Sequence, residues 1–92
     1  MPDGTTPYRS TPIFDEASLP AALRRAHSTR AGVWGVIRVI EGRLRLTFTD
    51  PPEEHRLAPG CPGLLPPERV HFVEPLGPMR MQVDFYDHPP AI

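Results

Sequence analysis

The chain contains no lysine, no asparagine and only one cysteine, Cys61, among its 92 residues. A single thiol excludes an intramolecular disulfide framework and suits a reducing compartment, so a cytoplasmic protein is expected. Long apolar runs are missing too. The longest, residues 31–37, falls far short of the roughly 20 residues that cross a bilayer, and no secretory leader pattern opens the chain. Charge of one sign is also lacking: ten basic residues stand against eleven acidic ones, for a net charge of −1. Neither nucleic acid nor a membrane surface is therefore expected as a partner. With every basic residue an arginine, the composition reads as the base bias of a bacterial genome. There is no G-x-S-x-G elbow, phosphate-binding P-loop, dinucleotide fingerprint or cysteine pair for zinc. Cys61 lies between Gly60 and Pro62, with no histidine close in sequence to make a thiolate.

What is present describes one small domain spanning residues 1–92. Apolar residues make up 39% and charged residues 23%, enough for one modest core. Fourteen prolines and seven glycines leave little room for long helices and favour short strands joined by turns. Residues 1–20 read as an arm laid over the domain and anchored by Tyr8, Ile13 and Phe14, with residues 1–6 and 90–92 fraying. The one helical signal is 18–25, where Ser18 suits a cap, Pro20 the first turn, and Arg24 and Arg25 the C-terminal end. Residues 33–40 are rich in β-branched side chains, and 43–49 alternate with Leu44, Leu46 and Phe48 on one face. Glu41-Gly42 between them predicts a hairpin, with positive φ at Gly42. A two-residue loop there turns Ile37 and Val39 inward with the leucines, whereas a bulged turn turns Trp34 and Val36 inward. The first is preferred. Residues 50–54 read as a solvated loop, 55–58 as an edge strand, and 64–66, 70–74 and 79–87 as further short strands. Met81, Val83 and Phe85 are core positions of the last. Strands at this spacing predict a small sandwich or barrel.

The candidate chemistry rests on histidine. His88 and His55 read as surface residues. His27, ahead of the first strong strand, and His71, within a later one, can meet because strands bring distant residues together, and two imidazoles supply half a metal site. Arg38, Arg43 and Arg45 read as a solvated outer face, and Trp34 as packing or as pocket lining.

These residues acquire an order. Gly42 after a β-branched strand, and Gly63-Leu64-Leu65-Pro66-Pro67-Glu68-Arg69-Val70-His71 later, resemble the two half-motifs of a cupin. More closely, the chain resembles the small TehB/YeaR-like cupin domain family, associated with tellurite resistance, in its stand-alone form. The residues that carry this are Tyr8-Arg9-Ser10-Thr11-Pro12-Ile13-Phe14, Leu19-Pro20-Ala21-Ala22-Leu23 and His27-Ser28-Thr29-Arg30-Ala31-Gly32-Val33-Trp34-Gly35. His71-Phe72-Val73-Glu74-Pro75 and Met81-Gln82-Val83-Asp84-Phe85-Tyr86 complete the set.

The resemblance implies an all-β, small cupin-like jelly-roll barrel with one short N-terminal helix and a pocket between its sheets. It implies His27 and His71 as pocket residues and metal ligands, with zinc, iron or nickel as the divalent transition metal, and Trp34, Glu74, Asp84 and Phe85 as further pocket candidates. A full cupin first motif has two histidines and a glutamate, whereas this chain has only His27, with Thr29 two residues on. Strand alternation sets Glu74 opposite His71, and Asp84 opposite Val83 and Phe85. Methyl transfer is not expected, because no nucleotide-binding βαβ unit is present. Two function classes follow: a cupin-like domain that binds a small molecule, an oxyanion or a metal, with a link to tellurite or oxyanion stress; or a small metal-dependent enzyme of oxygenase or isomerase type. Exposed strand edges in so small a fold lead us to expect a homodimer.

Overall fold

Alternating apolar side chains sort this chain into two facing sheets. The computed structural model describes residues 6–91, so the fraying expected of residues 1–5 and of 92 lies outside the described residues. Eight strands and one helical turn follow in order: β1 (Arg9–Ser10), β2 (Phe14–Asp15), α1 (Ala21–Arg24), β3 (Trp34–Glu41), β4 (Leu44–Thr49), β5 (Pro52–Leu57), β6 (Gly63–Leu65), β7 (His71–Pro75) and β8 (Arg80–Tyr86). One sheet runs β1-β8-β3-β6, with β2 also paired to β8, and the other runs β5-β4-β7. The protein is all-β apart from α1. Among the described residues no helix is long and apolar enough to cross a membrane.

The core lies between the inner faces. Ile37, Val39, Leu65, Met81 and Val83 from the larger sheet meet Leu44, Leu46, Phe48, Leu57 and Val73 from the smaller one. Ile37 and Val39 thus face inward, as preferred. The expected β3–β4 hairpin does not form, however. β3 pairs with β8 and β6, and β4 with β5 and β7, so Glu41-Gly42 carries the chain from one sheet to the other. Alternation specifies which side chains face the core but not which strand is the neighbour.

Three local expectations are corrected. Residues 52–54 are not loop: β5 starts at Pro52 and pairs with β4 from Thr49↔Pro52 to Leu44↔Leu57. Its edge position follows from sheet order, and its run of charged residues suits an edge. Ser18 does not cap α1, whose N-terminus has no side-chain cap. Instead the Asp15 carboxylate accepts from the Ala17 and Ser18 amides, and Ser18 Oγ accepts from the Asp15 amide. These bonds hold the Asp15 carboxyl below the usual carboxylate range. The N-terminal arm is held by backbone pairing along β8 and by Phe14 against the core, whereas Tyr8 and Ile13 are exposed.

Candidate functional site

Residues 25–30, between α1 and β3, run beside the start of β7. The His27 amide donates to the His71 carbonyl at 2.9 Å, and the His71 amide donates back to the His27 carbonyl at 2.8 Å. This two-bond bridge sets the imidazoles side by side, with ring centroids 4.3 Å apart and planes tilted by 59°. The structure therefore brings together the two histidines singled out from the sequence.

Each ring is also oriented through Nδ1, which lies 2.8 Å from the Arg25 carbonyl in His27 and 2.9 Å from the Arg69 carbonyl in His71. A carbonyl only accepts, so Nδ1 carries the hydrogen. In the neutral ring Nε2 is then left with a lone pair. His71 is only 1% exposed. Burial pushes its pKa below the usual histidine range, the Arg69 carbonyl opposes that, and the neighbouring His27 adds to it.

The sign of the resulting pH effect follows. The unfolded chain takes up this proton near pH 6.5, and the folded chain takes it up only at lower pH. The stability tied to neutral His71 is fully present above the unfolded pKa. It is lost as pH falls from about 6.5 through the lowered folded value. His71→Gln should flatten that part of the stability–pH curve in urea titrations between about pH 7.5 and 5. An unchanged slope would mean that His71 protonates alike in both states.

Both imidazoles line a cavity of about 410 Å³ between the sheets. Its apolar wall comes from α1, β3, β6, β7 and β8, through Leu23, Ile37, Leu65, Val73, Met81, Val83 and Phe85. Its polar part comprises His27, Ser28, Thr29, Arg30 and His71, with Tyr8 and Arg9 from the arm. Arg9 faces Phe85 in strand register, and its guanidinium carbon lies 5.4 Å from that ring's centre. Thr29 fixes the loop, donating from Oγ1 to the Val33 carbonyl at 2.7 Å and accepting at its own carbonyl from the Glu68 amide at 3.1 Å. No carboxylate is among the described residues lining this cavity.

Of the other pocket candidates, Phe85 lines the cavity, whereas Trp34, Glu74 and Asp84 do not. Strand alternation turns both acids to the outer faces, where arginines meet them. Arg38 Nε donates to Asp84 at 2.7 Å, and Ser10 Oγ donates to the same carboxylate at 2.7 Å. Arg45 lies 3.1 Å from Glu74, directly across the β4–β7 pair. Among the described residues no three histidine, cysteine, aspartate or glutamate side chains cluster to hold a metal ion. Sequence reasoning missed Arg9 and Arg30. Both stand in stretches that carry the family resemblance, but nothing in those stretches marks them as pocket residues, and they enter the site because β1 lies along β8 and the 25–30 segment folds against β7.

A second cleft, of about 480 Å³, is lined by Phe48, Glu53, His55, Arg56, Cys61 and Arg69 among others. Part of its charge is paired within the cleft, although the buried Arg69 Nε has no hydrogen-bond partner among the described residues. His55 lies 2.6 Å and Arg69 3.4 Å from the Glu53 carboxylate, which is held below the usual range, first by His55. Arg69 also stacks on Phe48, with its guanidinium carbon 3.9 Å from the ring centre. The cavity at the histidine pair, by contrast, presents acceptors and cations that nothing in its wall neutralises.

The sequence pattern of the TehB-like domain family matches residues 9–83. Among solved structures, TehB from Haemophilus influenzae superposes with a TM-score of 0.78 at 27% identity, over 87% of this chain and 30% of that one. The chain thus spans under a third of TehB's length. A protein from E. coli strain K12 superposes with a TM-score of 0.84 at 22% identity, over 97% of this chain and 96% of that one. FeII HppE superposes with a TM-score of 0.62 at 16% identity, over 80% of this chain and 40% of that one. At these identities the last two speak to the fold alone. No curated protein matches the chain.

Proposed function

The chain belongs to the TehB-like domain family, and from that premise we propose that it is a small-ligand binding domain whose cavity takes up a compact anion. The two facing sheets serve as a shortened cupin-like jelly roll, with the ligand between them. The observation that carries this is the make-up of the wall, where Arg9, Arg30, His27 and His71 converge on one cavity without a carboxylate among the described residues. Guanidinium groups bind carboxylates and oxyanions through paired, charge-assisted N–H donors, and no acid competes for them. The tellurite-resistance association of the family suggests oxyanion stress as the setting.

A second reading is a divalent metal on His27 and His71, favoured by the carbonyls that hold both Nδ1 atoms, the usual way a ligating imidazole is oriented. Two donors fall short of the three protein ligands of an open catalytic site, so the residues present fit a resident metal incompletely. A metal-dependent enzyme would need its third ligand from outside this set.

Calorimetric titration of the whole chain with phosphate, tellurite and benzoate, and separately with zinc, iron(II) and nickel, tests the two readings. One anion should bind with a stoichiometry of one, and alanine at both Arg9 and Arg30 should weaken it at least about tenfold, the cost of one lost charged hydrogen bond. Metal binding at one equivalent, with no anion binding, would overturn the proposal in favour of the metal.

A further inference from the structure

We propose that the ligand is an organic hydroxy acid: a carboxylate on an apolar or aromatic body that also carries a neutral hydroxyl donor. The inference rests on the anion-pocket reading above and narrows its ligand class by three constraints.

The first is size and lining. A bare oxyanion leaves most of a 410 Å³ cavity unfilled, and cavities of this size ordinarily bury an organic ligand against apolar walls. Ile37, Leu65, Val73, Met81, Val83 and Phe85 form such a wall. An oxyanion alone would leave it facing water.

The second is charge. Arg9 and Arg30 belong to the same lining, with no acid among the described residues there. Both side chains are solvent-exposed, so they favour a ligand that supplies negative charge, and a carboxylate matches a guanidinium in geometry.

The third is the hydrogen-bond polarity of the histidine pair. Each Nδ1 is committed to a carbonyl, so each neutral ring offers only Nε2, as an acceptor. No hydrogen-bond partner for either Nε2 occurs among the described residues. A ligand that meets this pair must bring a hydrogen. An ammonium would bring one, but it would be repelled by the two arginines. An O–H group brings it without charge. A plain carboxylate bound over the pair would cover these acceptors without pairing them, and that omission discriminates between ligands that differ by one hydroxyl.

The test is calorimetric titration of the whole chain with phenylacetate and its 2-, 3- and 4-hydroxy isomers, at a pH where both histidines are neutral. At least one isomer should bind about tenfold or more tightly than phenylacetate, the worth of one buried hydrogen bond. The variant His27→Phe keeps a ring in place and removes Nε2. It should abolish that preference, read as the ratio of the two affinities within the variant itself, whatever happens to the affinity for phenylacetate. If all four acids bind alike, or the preference survives in His27→Phe, the hydroxy-acid inference is overturned while the anion pocket stands. If none of the four binds but phosphate or tellurite does, the ligand is a bare oxyanion and the inference again fails. Absence of binding by every anion removes the anion-pocket reading itself.

Discussion

Gly42→Val is expected to cost the domain about 3 kcal/mol or more, enough to unfold a marginal protein of this size. Gly42 sits at φ +75°, where a side chain is strained, and a Cβ there would lie 2.2 Å from the Pro78 carbonyl oxygen and 2.9 Å from Met79 Cα. Those neighbours are backbone, and Met79 is itself buried, with its amide donating to the Glu16 carboxylate at 3.0 Å. The clash cannot be relieved by turning a side chain. Gly60 is the internal control, since it sits at φ +85° and a Cβ there would meet nothing within 4 Å. Gly60→Ala should lose only the conformational part, about 1 kcal/mol. Urea unfolding of both variants measures the difference. Equal midpoints would show that the crossing between sheets is not packed against 78–79.

Leu46→Ala is expected to cost about 3 kcal/mol, within the range of about 2–5 seen for emptied core sites. Leu46 is wholly buried in the middle of β4, between Val73 and His55 in strand register. The opposite sheet comes so close that a Cβ on Gly63 would lie 3.0 Å from Leu46 Cδ2. A gap left by truncation is therefore walled on both sides. A loss below about 1 kcal/mol would mean that the two sheets collapse onto the space, contrary to the close packing described.

Much of the fold is legible in the chain because strand faces write themselves at a period of two. Leu44, Leu46 and Phe48, and Met81 and Val83, all lie where alternation places them. Proline and glycine mark the breaks before β6 and between β7 and β8. Strand partners are another matter. Nothing in Glu41-Gly42 says whether the next strand returns alongside β3 or crosses to a second sheet, because both need the same positive φ, and the Pro78 carbonyl that forbids a side chain lies more than thirty residues away. At the site, His27 and His71 are visible as residue types ahead of and within strands, but their bridge is a long-range backbone contact. Arg9 and Arg30 are invisible for the same reason. Val36 shows a further limit: it is wholly buried although it stands outside the inter-sheet core, where alternation alone predicts solvent.

The central claim is that the cavity at the histidine pair is the binding site, and amide chemical-shift mapping by ¹H–¹⁵N NMR tests it most directly. On titration with the tightest-binding anion of the calorimetric series, the amides of Arg9, His27, Thr29, Arg30, His71 and Phe85 should shift together and saturate at one equivalent. Those of His55, Arg56 and Cys61, in the second cleft, should stay in place. Shifts centred on Cys61 and His55, or none at millimolar anion, would contradict the account.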